Sequence, residues 1–191
     1  MGLISPRHGN AGIHTVTGST EPVSFHGAGL EHRLYVLAAV LTHALVGYAF
    51  ISLLDASPPL AGLVGAILPD IDLLFAPAWS FPFVHRGLTH TPLCGAVITG
   101  VIWLGTKWTS GQQSLPISDD RGLPTALLFG YGSHLLLDSF TVSGVPWLYP
   151  MSTVRLGVDA EIHGFEASLL LWLCCTVILV RRRRSRDGTT Q

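Results

Sequence analysis

The chain has 191 residues, a length that suits one domain with a sizeable core and leaves little room for two. Charged residues make up 12% and hydrophobic residues 48%, with a mean hydropathy of +0.47; a soluble domain carries about 25% charged residues, so the composition points to the bilayer. The net charge of −1 hides five of the eleven basic residues gathered between Arg181 and Arg186, and the remainder has no basic patch of the kind that wraps nucleic acid, so that partner is not expected.

Residues 1–33 are rich in Gly, Ser, Thr and His and have no apolar run of the signal-peptide type. They are expected to form a disordered tail in which His8, His14, His26 and His32 are solvated. "LYVLAAVLTHALVGYAFISLL" (34–54) has one ionisable group, His43, and the roughly 20-residue length that an α-helix needs to cross a membrane. "DASPP" breaks it. "LAGLVGAILPDID" (60–72) follows as a short or re-entrant helix, closed by Pro69 before Asp70 and Asp72.

"FPFVHRGLTH" then brings His85, Arg86 and His90 to the start of "TPLCGAVITGVIWLGTKW" (91–108), a helix expected to take Thr91 as N-cap and Pro92 as its first residue. After a polar loop, "LPTALLFGYGSHLLLDSF" (123–140) sets His134 and Asp138 four residues apart, on one helix face. A Gly/Pro-rich connection (141–164) leads to "FEASLLLWLCCTVILV" (165–180), which runs into "RRRR", a stop-transfer pattern that puts the C-terminus in the cytoplasm.

Threading these segments alternately across the membrane, with the fifth ending inside, brings Asp70, Asp72, His85, His90, His134 and Asp138 to the same non-cytoplasmic face, together with His163 and Glu166. His43, near the middle of the first helix, reaches them only if the site is sunk into the bundle. Uncompensated aspartates at membrane depth cost on the order of 2.5 to 3.5 kcal/mol each, whereas a divalent cation neutralises them and also accepts the imidazoles. Imidazole with carboxylate suits zinc, manganese or iron, and the seven residues suffice for two ions sharing a bridging carboxylate, as in phosphoester hydrolysis. Read one at a time, the pairs have plainer explanations: an internal hydrogen bond for His134 and Asp138, a helix terminator for the two aspartates.

Other chemistry is sparse. Ser133, Ser139, Thr141 and Ser143 lack a nucleophile elbow. Cys94, Cys174 and Cys175 have no redox or zinc spacing and read as buried thiols. Gly130 and Gly132 read as close helix packing, and Trp79, Trp103, Trp108, Trp147 and Tyr149 as interfacial anchors.

The blocks "LPDID", "HRGLTH" and "GYGSHLLLDSFTVSGVPWLYP" resemble the signature of the membrane-bound, metal-dependent hydrolase family of the YdjM type, over about residues 40–166. That family is similar to the zinc-dependent phospholipase C and single-strand nuclease superfamily, α-helical bundles that hold a metal cluster with His and Asp ligands. The resemblance implies metal ligation by His43, Asp70, His90, His134 and Asp138, with Asp72 and His85 next in line. The chain departs from the soluble superfamily members in lacking their N-terminal tryptophan ligand and in having one clear H-x-x-x-D pair.

The expectation is therefore an all-α, polytopic inner-membrane bundle of four or five spans: a membrane domain over 34–180 and a basic cytoplasmic tail over 181–191. Its expected activity is hydrolysis of a phosphoester in a lipid or lipid-linked substrate, using one to two divalent ions, zinc first. By position, Asp72 would act as base and Arg86, standing away from the ions, would clamp the phosphate. The rival readings are a metal or proton transporter and a structural membrane protein stapled by a metal. Oligomeric state is not legible.

Overall fold

A computed structural model describes residues 13–16, 29–54, 58–74, 85–110, 122–158, 160, 162 and 164–188. The expectations for His8, His26, Trp79, His163 and the polar loop 111–121 lie outside the described residues, as do the side chains of His14 and His32. The fold is all-α: five helices, α1 (Leu30–Leu53), α2 (Pro59–Ile67), α3 (Pro92–Ser110), α4 (Gly122–Asp138) and α5 (Phe165–Gly188). A two-stranded antiparallel ribbon, β1 (Ile13–Val16) with β2 (Arg155–Val158), pairs Ile13 with Val158 and Val16 with Arg155. Four residues of the segment expected to be disordered are thus a strand, because β2 offers them a backbone edge that a composition reading cannot register.

The helix limits follow local chemistry. Thr91 caps α3 through its Oγ1, which accepts the Cys94 N–H at 3.1 Å, and Pro92 follows at the position where a missing N–H costs nothing. α2 begins on Pro59, and Pro69 ends its α-helical bonding by removing a donor, so the chain tightens into a 3-10 helix over Leu68–Leu74. α5 carries its arginines as helix: the basic segment expected as a tail continues α5 to Gly188.

Small residues let the helices meet. α2 lies against both α1 and α4; a methyl group on Gly130 would overlap the Gly62 carbonyl, and one on Gly65 would overlap the Leu127 carbonyl. Gly132 meets nothing within 4 Å, so of the two glycines expected to pack closely only Gly130 does. Around these contacts sit two apolar clusters, Ile51, Ala61, Leu123, Ala126 and Leu127, and Tyr131, Leu135 and Val145, with Leu68 packed against both.

The interior is otherwise polar and the outside apolar. Thr42, His43, Thr91, Thr99, His134 and Ser168 are buried, while Leu37, Leu60, Val97, Leu104, Leu170 and Leu173 are exposed. That inversion fits a hydrocarbon surrounding. By itself one helix, α1 over Arg33–Leu53, is long and apolar enough to cross a membrane among the described residues. α2 has nine residues and α4 seventeen, and α5 turns basic in its last third. Of the three cysteines only Cys175 is buried; Cys94 is half-buried and Cys174 is exposed on the apolar outer face of α5.

If close backbone approach holds α2 against α4, Gly130→Val lowers stability by roughly 1–3 kcal/mol. Gly132→Ala, in open space on the same helix, leaves the melting temperature in detergent unchanged or raises it slightly.

Candidate metal centre

Four pieces of chain converge at one end of the bundle: the middle of α1 with His43, the 3-10 helix with Asp70 and Asp72, the loop His85–His90, and the last turns of α4 with His134 and Asp138. In the 3-10 helix, residues two apart lie about 120° apart around the axis instead of about 160°, so Asp70 and Asp72 address adjoining sides of the loop. His90 Nε2 lies 3.2 Å from His134 Nε2, and each is 3.7 Å from Asp70 Oδ1. Asp138 Oδ2 is 3.4 Å from His90 Nε2 and 3.5 Å from His134 Nε2, and Asp138 Oδ1 is 3.5 Å from His43 Nε2. The His43 ring stacks on that of His134 at 3.8 Å. The site is sunk, and α1 contributes to it from its middle.

The outer ring nitrogens identify the tautomers. His134 Nδ1 is 2.7 Å from the Ala66 carbonyl, which can only accept, so Nδ1 carries the proton and Nε2 turns a lone pair inward. His90 Nδ1 lies 3.3 Å from Asp72 Oδ2, the same arrangement with a carboxylate. Two imidazole lone pairs therefore lie between the carboxylates of Asp70 and Asp138, with imidazole–imidazole and imidazole–carboxylate separations of 3.2 to 3.7 Å. Ligands bound at 2.0–2.1 Å around a tetrahedral ion stand roughly 3.3 Å apart. Asp70, Asp72 and Asp138 against Arg86 leave two negative charges in the cluster, the charge of one divalent cation. The donor set fits such an ion. Burial alone would lower the His90 pKa, but Asp70 and Asp72, then Asp138, outweigh it and raise it to about 9.

Two side chains stand differently from expectation. Asp72 has both oxygens engaged, Oδ1 with His85 Nδ1 at 2.9 Å and Oδ2 with Thr89 Oγ1 at 2.6 Å and with His90. It orients imidazoles. Arg86 does not stand away from the cluster: its guanidinium donates to Asp138 Oδ1 at 3.0 Å and to Thr141 Oγ1. The cause is local, because Arg86 takes a left-handed backbone conformation, φ 61°, which folds its side chain back onto the end of α4. That conformation costs a non-glycine residue roughly 1–2 kcal/mol, and the ion pair with a buried carboxylate offsets it.

His85 and His90 converge across the Gly87 turn, ring centroids 5.0 Å apart, with His90 in a 3-10 turn (Leu88–His90) before α3. With Asp70 they form a second, shallower group, all three ligand atoms within 4.8 Å of one another, so Asp70 belongs to both groups. Ser133 and Ser139 donate to main-chain carbonyls of α4, and Glu166 is exposed on α5.

Three contributors were not singled out as site residues from the sequence. Thr89 ties Asp72 to the loop, and the Tyr131 hydroxyl donates to the Thr89 carbonyl. Arg155, on β2, is buried at 7% exposure and close enough to Arg86 that, after burial, the Arg86 charge lowers its pKa. Thr89 lies inside "HRGLTH" and was legible there; Arg155 sits in no motif. Beside Asp70 runs an apolar cleft of about 400 Å³, lined by Val40, Val64, Ile67, Leu68, Ile71 and Leu74 among others.

Comparison with known proteins bears on family alone. The chain is 28% identical over 144 residues to the uncharacterized protein YvsG of Bacillus subtilis (strain 168), covering 70% of this chain and 81% of that one. No solved structure matches. Residues 38–189, which span all five helices from the first third of α1 onward, match the YdjM inner membrane proteins, and the chain belongs to that family.

Proposed function

We propose that the protein is a membrane-bound, metal-dependent hydrolase that cleaves a phosphoester in a lipid or lipid-linked substrate, and that it shares this chemistry with the zinc-dependent phospholipase C and nuclease superfamily. The observation that carries the reading is the gathering of Asp70 and Asp138 about His90 and His134, with the outer atoms of His90, His134 and Asp138 already engaged. His43 completes the deep set through its place beside Asp138. A divalent ion held by these residues, zinc first, would supply a water acidified toward neutral pH and a Lewis-acid contact for a phosphoryl oxygen.

The protein's own groups take the remaining roles. Asp72 fixes His90 and His85 by their Nδ1 atoms. His85, with its side chain 26% exposed, is the member of the His85–Asp72 pair that reaches the mouth and takes the proton. Arg86 holds Asp138 in place. The phosphate is left to Arg155, a buried guanidinium that feels the Arg86 charge and would gain from an anion beside it. The apolar cleft beside Asp70 favours a lipid substrate, since an acyl or isoprenoid chain would lie there with its phosphate at the centre.

The topology belongs to the same proposal. α1 and α5 run in the same direction, as the Trp172 Nε1 to Thr42 Oγ1 bond at 2.9 Å and the cleft that Tyr48 and Leu179 both line further along indicate, and five alternating spans require this. The short α2 with its 3-10 extension would be the second span, and the centre would face away from the cytoplasm.

Purified protein is expected to hold one divalent transition metal per chain by elemental analysis. His90→Ala should lose both metal and phosphodiesterase activity, whereas His85→Ala should keep the metal and lose about 100-fold in kcat. Halved metal in His85→Ala would mean that the shallower group holds a second ion. A loaded wild-type protein that moves metal across liposomes and hydrolyses no phosphoester would be a transporter.

Arg155→Ala should retain metal and lower kcat/KM on phosphoesters, while Arg86→Ala should weaken metal retention because Asp138 loses its partner. Equal metal content in wild type and Arg86→Ala would return the phosphate to Arg86. For topology, in a cysteine-free background, a cysteine at Met151, 87% exposed, should react with an impermeant reagent from outside intact cells, and one at Ser185 should not.

A further inference from the structure

At the other end of α2 from the metal centre, a cleft of about 660 Å³ opens between the last turns of α1, the start of α2 and the last turns of α5. Its apolar wall is Ile51, Pro59, Leu179 and Val180, and its rim carries Arg182, Arg183 and Arg186, with Asp187 the one opposing charge. Leu179, Arg183 and Arg186 follow the i, i+4, i+7 spacing of a single helix face, so the charge is continuous with the apolar surface. The N-terminal end of α2, positive by its dipole, borders the same space.

A run of arginines after an apolar helix has a plain explanation as a topological anchor. That explanation treats Arg181, Arg182, Arg183, Arg184 and Arg186 alike, whereas the cleft takes three and leaves Arg181 and Arg184 outside it. We infer that this cleft binds an anionic phospholipid of the leaflet at the C-terminal end of α5: the phosphate lies between the three guanidiniums and an acyl chain lies along Ile51, Leu179 and Val180. Three guanidiniums offer planar, paired donors to a phosphate, and the apolar wall selects a lipid over a free anion. The site is remote from the metal centre and makes no use of its chemistry.

The test compares two charge-matched double variants of the full chain in neutral detergent, titrated with phosphatidylglycerol and read by native mass spectrometry and thermal shift. Arg182→Gln/Arg183→Gln should bind phosphatidylglycerol roughly thirty-fold more weakly than wild type, and Arg181→Gln/Arg184→Gln less than about threefold more weakly. Both should melt as wild type does without added lipid; if the first pair fails to fold, Arg183→Gln alone should weaken binding roughly fivefold. Equal losses in the two pairs would reduce the site to diffuse surface charge and overturn the inference. So would equal stabilisation by phosphatidylcholine, or an equal thermal shift from inorganic phosphate.

Discussion

Three carboxylates gathered among four imidazoles inside an apolar bundle repel one another unless something cancels their charge. Every nearby structural choice bears on that constraint. Arg86 accepts a left-handed backbone to reach Asp138, the Ala66 carbonyl meets His134 Nδ1, and Asp72 spends both oxygens on His85, Thr89 and His90. Two negative charges remain after these contacts. The polar interior thus has the electrostatics of a dication site before any ligand distance is considered, and the family's membership among inner membrane proteins supplies the low-dielectric setting that makes the imbalance costly.

The glycine contacts are what allow so much polarity to be concentrated. With Gly62 and Gly65 on α2 pressed against Gly130 and Leu127 on α4, the backbone of α2 comes close enough for its last carbonyls to reach α4 side chains. Bulkier residues would hold α2 further out and leave His134 without its Ala66 partner. Helix packing and the tautomer of an imidazole are therefore one problem here.

Much of this was legible in the sequence where spacing is periodic. His134 and Asp138 share a face because four residues make about one turn, Thr91 and Pro92 start α3 as their chemistry dictates, and His90 meets His85 across Gly87. What escaped was non-periodic. The direction of Arg86 depends on a single positive φ, and the double engagement of Asp72 depends on a 3-10 segment created by Pro69. Arg155 comes close to Arg86 only after the chain following α4 has folded back, with Val158 N–H on the Ser139 carbonyl and Leu156 paired with Val145. Span count was least legible, because apolar runs of similar composition become helices of nine to twenty-four residues once glycine and proline have cut them.

The ribbon has a bearing on where this protein's working unit begins. β2 carries Arg155, and its partner strand Ile13–Val16 lies well upstream of residues 38–189, the stretch shared with the family. A fragment trimmed to the shared boundaries would keep every imidazole and carboxylate of the centre yet strip the backbone partner from the strand that presents Arg155. The side chains of the centre and the strand that pairs with β2 thus lie on opposite sides of the boundary of the family match.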